Sequence, residues 1–122
     1  MDYPIDYFDG IIDSATIYSN TYSAIVEMYD RCYNVLKKNG GLFTSCFTKY
    51  TDGFGTGTQI EDNTYRDLIK GRLSGRGIVH FFTDKELFDV LTKCGFINIH
   101  IDTMTYTDNG TKVEMLLAQA EK

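Results

Sequence analysis

The first apolar group along the chain is short and bracketed by acids. Phe8-Asp9-Gly10-Ile11-Ile12-Asp13 predicts a strand over residues 8–13. A polar and aromatic loop over 14–19 follows. Tyr22, Ile25, Val26, Tyr29, Cys32, Tyr33 and Leu36 then recur at steps of three and four, while Glu27, Asp30, Arg31 and Asn34 fall off that stripe. This is the period of an amphipathic helix, with Asn20 as its expected N-cap. Lys37 and Lys38 are expected in its last turn, where cations suit the negative end of the helix dipole, and Gly40 as the left-handed residue that ends it. Gly41 to Phe47 shows no clear alternation, as expected of a strand covered by helices on both faces of a parallel sheet. Helix, Gly-Gly, buried strand is an α/β signature. A parallel strand as near the start as 8–13 normally has an earlier strand–helix unit beside it, and these residues contain none.

From Tyr50 to Gly77 the periodicity is lost. Six glycines, at 53, 55, 57, 71, 75 and 77, flank a short helical candidate at about 62–70 with Tyr65, Leu68 and Ile69 on one face. Residues 49–77 read as an insertion over the edge of the sheet, either a lid over a binding cleft or a passive excursion. Gly53-Phe54-Gly55-Thr56-Gly57 within it fails the dinucleotide spacing, since the position for a third small residue holds Thr58 or Ile60, and it lacks the Gly-Lys-Ser/Thr of a Walker loop. It is a poor phosphate cradle.

Regular pattern returns at Ile78-Val79-His80-Phe81-Phe82. Thr83 and Glu86 have the spacing of a capping box, with Phe82 and Leu87 placed for a hydrophobic staple. Leu87, Phe88, Leu91 and Cys94 form the expected inner face of this helix, and Gly95 its stop. Ile97, Ile99 and Ile101 alternate with Asn98, His100 and Asp102, predicting a half-exposed strand. Thr107-Asp108-Asn109-Gly110 then turns the chain into a more buried strand from Val113 to Ala118, closing an antiparallel hairpin.

Composition narrows the function classes. The chain has 122 residues, enough for one core, with 43% hydrophobic and 24% charged residues. A formal net charge of −5 argues against a broad nucleic-acid surface and for a neutral or cationic small partner. Cys32, Cys46 and Cys94 are odd in number, far apart and set among apolar residues, so buried reduced thiols are expected rather than disulfides, zinc ligands or a nucleophile. No apolar run approaches the ~20 residues that span a bilayer and no signal-peptide pattern opens the chain, which makes the cytoplasm the default location with no membrane partner.

Residues 8–13, the crossover helix running into Val35-Leu36-Lys37-Lys38-Asn39-Gly40-Gly41-Leu42-Phe43, then His80-Phe81-Phe82-Thr83-Asp84-Lys85-Glu86-Leu87, and 91–96 with the closing hairpin, together resemble the C-terminal half of class I S-adenosylmethionine-dependent methyltransferases. The resemblance implies an α/β fold, a partial Rossmann-like three-layer domain in which residues 8–13, 41–47, 97–106 and 113–120 are the fourth, fifth, sixth and seventh strands. The seventh would be antiparallel and lie between the fifth and sixth. Residues 1–122 would be a single partial domain, without the family's N-terminal cofactor-binding half, its glycine-rich loop and its ribose-binding acid. The cofactor implied is S-adenosylmethionine, bound in the full-length protein. Asp13, Ser14, Ala15, Ile17 and Tyr18, at the end of the fourth strand, would line its adenine and methionine portions.

Methyl transfer needs alignment of nucleophile, methyl and sulfur, and a base only where the acceptor loses a proton early. His80, before the capped helix and near the insertion, is the candidate base, with a hydrogen-bonded strand-end histidine as the alternative. Tyr50, Phe54, Tyr65 and Phe81 are candidates for the wall of a small-molecule acceptor pocket, or for packing within the insertion. No metal ligands are expected. Two functional readings follow. The chain is the acceptor-side half of a small-molecule methyltransferase, inactive alone, or it is a non-catalytic half-domain that associates through the open edge of strand 8–13, as a homodimer or with a separate N-terminal half. Another Rossmann-like enzyme, such as a dehydrogenase, suits the terminal hairpin less well.

Overall fold

The computed structural model describes residues 3–122. Its main sheet has four strands in the order β1-β2-β7-β6: β1 Phe8–Asp13, β2 Leu36–Phe47, β7 Thr111–Glu121 and β6 Ile97–Asp108. β1 and β2 are parallel, while β7 runs antiparallel to both neighbours, β2 and β6. This is the arrangement implied for strands four to seven of a Rossmann-like methyltransferase sheet. Asn109 and Gly110, both at positive φ, make the two-residue turn between β6 and β7.

Helices α1, Tyr22–Val35, and α2, Asp84–Cys94, pack against each other on one face of the sheet. Ile25, Tyr29 and Cys32 from α1 and Leu87, Val90 and Leu91 from α2 meet Leu42, Cys46, Leu116, Ala118 and Ala120 in the core. Phe88, expected on the inner face, is 46% exposed, and Val90 takes its place. Thr83 caps α2 by accepting from the Glu86 amide at 3.0 Å, and Gly95 ends it at φ 109°. The reciprocal half of the capping box does not form: the Glu86 carboxylate turns instead to His80.

The start and end of α1 differ from expectation. Its N-cap is Thr21 rather than Asn20, and the Glu61 side chain, from the insertion, accepts from the Tyr22 amide at 2.8 Å. The helix ends at Val35, so Lys37 and Lys38 lie in β2 and not in a helical turn. Asn39, at φ 68°, takes the left-handed conformation expected of Gly40. Gly40 is needed for a different reason: a Cβ there would sit 2.8 Å from the Lys37 carbonyl oxygen and 3.0 Å from that of Asp9.

The insertion is β rather than helical. β3 Thr58–Glu61, β4 Thr64–Arg66 and β5 Ile78–His80 form a three-stranded antiparallel sheet, and the helix expected at 62–70 is absent. Its weak three-residue apolar period is used differently, with Tyr65 paired across strands and Leu68 buried. Residues 52–57 run back along 66–71 so closely that a side chain on Gly53 would strike the Lys70 carbonyl, and one on Gly71 the Asp52 carbonyl. Close backbone approach, not phosphate binding, accounts for these glycines.

The helices cover one face of β2 only. On the opposite face Gly10, Ile12, Phe43, His100 and Gln119 border a shallow depression of about 550 Å³, with Ile12 78% exposed. The outer edge of β1 has no strand partner among the described residues.

Candidate functional site

β1 ends at Asp13, opposite Thr44 in the parallel register, and β2 runs on to Phe47, so the chain leaves both strands at the same end of the sheet. Open α/β sheets hold ligands beyond such carboxyl ends, because the loops there diverge and leave a crevice. A cavity of about 330 Å³ lies at this position. Ser14, Ala15 and Tyr18 line it from the loop after β1, Arg72 and Arg76 from the insertion, and Tyr106 from the end of the β6–β7 hairpin.

Asp13 shapes the loop from beneath. Its Oδ1 accepts from the amides of Thr16, at 2.9 Å, and Ile17, at 3.1 Å, and its Oδ2 from the Thr44 hydroxyl at 2.6 Å. Thr44 in turn shares a 2.7 Å hydrogen bond with the Tyr29 hydroxyl. Asp13 is 6% exposed, and both its carboxylate oxygens are engaged by these three donors. It therefore fixes the turn, in which Ala15 adopts φ 55°, rather than facing the cavity. Ile17 is buried in the core. Tyr18 packs edge-on against Phe47 with centroids 4.9 Å apart, and burial raises its phenol above the ordinary range while Arg76 and Arg72 partly offset that rise.

The five loop residues singled out from the sequence thus divide. Ser14, Ala15 and Tyr18 reach the cavity, whereas Asp13 and Ile17 support it. Arg72, Arg76 and Tyr106 were not legible as its partners. They come from segments roughly sixty and ninety residues away in sequence, where no motif marks them. Arg72 is anchored by Asp108 at 2.7 Å, whereas Arg76 meets no carboxylate within ion-pairing distance among the described residues.

His80 lies elsewhere. It is 1% exposed, with Nδ1 at 2.6 Å from the Thr64 hydroxyl and Nε2 at 2.6 Å from Glu86 Oε1, and its ring packs on Phe82. It borders a separate open depression beside Tyr22, Glu61 and Glu86. Both ring nitrogens are engaged within the protein, which ties β4 and β5 to α2.

The four aromatic candidates also separate. Phe54, Tyr65 and Phe81 pack edge-to-face with one another, at centroid distances of 5.1 to 6.2 Å, joining the insertion to the core. Tyr50 is exposed, with Lys49 and Lys112 over its ring at 5.6 and 5.7 Å. None of the four lines the cavity between β1 and the arginines.

The thiols are not poised for chemistry. Burial pushes Cys32 up to about 11 and Cys46 higher still. No cluster of metal-ligating side chains occurs among the described residues, and no described helix is long and apolar enough to cross a membrane.

No protein-family model matches the sequence, and no curated protein matches it in sequence. Among solved structures the chain is similar to an S-adenosylmethionine (SAM)-dependent methyltransferase from Methanosarcina mazei, with 22% identity and a TM-score of 0.75 over 100% of this chain and 62% of that one. A methyltransferase from Mesorhizobium loti matches with 15% identity and a TM-score of 0.74, over 100% and 65% of the two chains. The 1,6-didemethyltoxoflavin-N1-methyltransferase of Burkholderia thailandensis, solved with 1,6-didemethyltoxoflavin and S-adenosylhomocysteine, matches with 20% identity and a TM-score of 0.66 over 98% and 46%. The fold is thus that of part of a class I methyltransferase, and the chain spans between about half and two thirds of the length of these neighbours.

Proposed function

We propose that this chain is the acceptor-side half of a SAM-dependent methyltransferase acting on a small molecule, and that it holds cofactor only when the rest of the fold is supplied. The observation that carries the reading is the cavity beyond the carboxyl ends of β1 and β2, walled by Ser14, Ala15 and Tyr18, in a fold shared along its whole length with methyltransferases.

The fit of the cofactor is partial. Ser14, Ala15 and Tyr18 offer a small, largely preformed wall suited to the methyl-bearing end of S-adenosylmethionine, and the Asp13–Thr44–Tyr29 chain holds that wall in shape. The glycine-rich 53–57 segment offers no cradle for the nucleoside, since it is packed against 66–71. When bound, the cofactor supplies an electrophilic methyl group on a sulfonium. The chain's own contribution is then alignment and exclusion of water: Tyr18 and Phe47 form an apolar floor, and the insertion overhangs it through Arg72 and Arg76. In this reading the insertion is a lid. His80 has no proton-transfer role here, because Thr64 and Glu86 engage both its nitrogens. Calorimetric titration with S-adenosylhomocysteine tests the reading: binding is expected when the polypeptide encoded directly upstream is co-expressed with this chain, and binding in neither form contradicts it.

A second reading has its own support. The free edge of β1 and the uncovered sheet face, with Ile12 78% exposed, suit a chain that associates through residues 8–13, with a second copy or a separate N-terminal half. Association and catalysis are compatible, since the partner that covers β1 would also complete the cofactor site.

A further inference from the structure

We infer that the cavity beneath the insertion is an anion site, and that the acceptor presents a carboxylate or phosphate to Arg76. The inference builds on the methyltransferase reading, but its core rests on this chain alone. Two arginines, Arg72 and Arg76, line the cavity, and no acidic residue does. This runs against the overall charge of −5, which by itself favours a neutral or cationic partner.

The two arginines are not equivalent. Arg72 is held by Asp108 at 2.7 Å, which spends its charge on the β6–β7 hairpin and fixes its position at the rim. Arg76 has no carboxylate within ion-pairing distance among the described residues. Its charge nonetheless reaches the buried Tyr18 phenol, where it is the largest influence opposing burial. Asp13, at the base of the loop that lines the cavity, already accepts three hydrogen bonds, from the turn amides of Thr16 and Ile17 and from the Thr44 hydroxyl. An exposed arginine on the wall of a concave site, with no carboxylate partner, matches a planar or tetrahedral oxyanion, to which its guanidinium can donate two parallel hydrogen bonds. The apolar flank formed by Tyr18, Phe47 and Met115 suits a flat ring attached to that anion.

The test is titration of the chain with sodium benzoate, followed by NMR at the arginine Nε–H groups and the amides of Ser14 and Ala15. Saturable shifts at Arg76, Ser14 and Ala15 are expected. Arg76→Gln should weaken binding at least tenfold and Arg76→Lys less, while Arg31→Gln, whose guanidinium pairs with Glu27 on the outside of α1, leaves it unchanged. Shifts that rise without saturation, or that are equal in R76Q and R31Q, overturn the site. S-adenosylhomocysteine separates the two sources of a carboxylate in the co-expressed protein. If it leaves benzoate bound, the anion belongs to the acceptor. If it displaces benzoate and is itself weakened by R76Q, the group held is the cofactor's and the assignment to the acceptor is overturned. Absence of S-adenosylhomocysteine binding contradicts methyl transfer, while the benzoate titration of the chain still decides the anion site.

Discussion

Asp13 illustrates what a single residue contributes here. The methyltransferase resemblance implies that it lines the cofactor, yet its oxygens accept from Thr16, Ile17 and Thr44. That role depends on Thr44 lying opposite Asp13 in the β1–β2 register and on Tyr29 reaching across from α1, neither of which a linear pattern reveals. Thr44→Val should therefore destabilise the chain by about 1–3 kcal/mol in urea unfolding, because it strips a donor from a buried carboxylate and a partner from a buried phenol. Cys32 gives a pH-dependent counterpart. Burial raises its thiol from 9.0 to about 11, so the folded chain keeps a proton that the unfolded chain releases. Its contribution is fully present below pH 9.0 and is lost as pH rises toward about 11. Thermal melts of Cys32→Ala should show a shallower fall in Tm across that window than the parent protein.

At the level of elements, local chemistry was most legible where it is self-contained. The strand at 8–13, the Thr83 cap, the Gly95 stop and the Asn109-Gly110 turn each depend on a few neighbouring residues and form where the pattern puts them. The boundaries that moved were decided by distant contacts: Glu61 caps α1 from the insertion, and Gly40 yields to the Asp9 carbonyl across β1. The insertion was the least legible, since strands of three and four residues leave almost no periodic signal. Its glycines carry the information instead. Gly53→Ala should cost more stability than Gly75→Ala, both being at positive φ, because only the former drives a methyl group into a backbone carbonyl. A difference of about 1 kcal/mol or more in paired thermal or urea unfolding curves is expected.

Seen as a whole molecule, the chain is a parallel pair, an antiparallel return and both helices on one face, and among the described residues the opposite face and the outer edges of β1 and β6 are uncovered. An uncovered strand edge beside apolar side chains favours association. Sedimentation velocity should show the chain self-associating or co-sedimenting with the upstream polypeptide, and Ile12→Lys should return it to a monomer. Unaltered association in I12K contradicts an interface at β1. In the proposed reading, cofactor binding depends on a partner that covers β1, and that is the central claim. Its most direct test is calorimetric titration of S-adenosylhomocysteine into the chain alone and into the chain co-expressed with the polypeptide encoded upstream. The account predicts no measurable heat of binding in the first case and saturable one-to-one binding in the second; binding in neither, or equally tight binding in both, would contradict it.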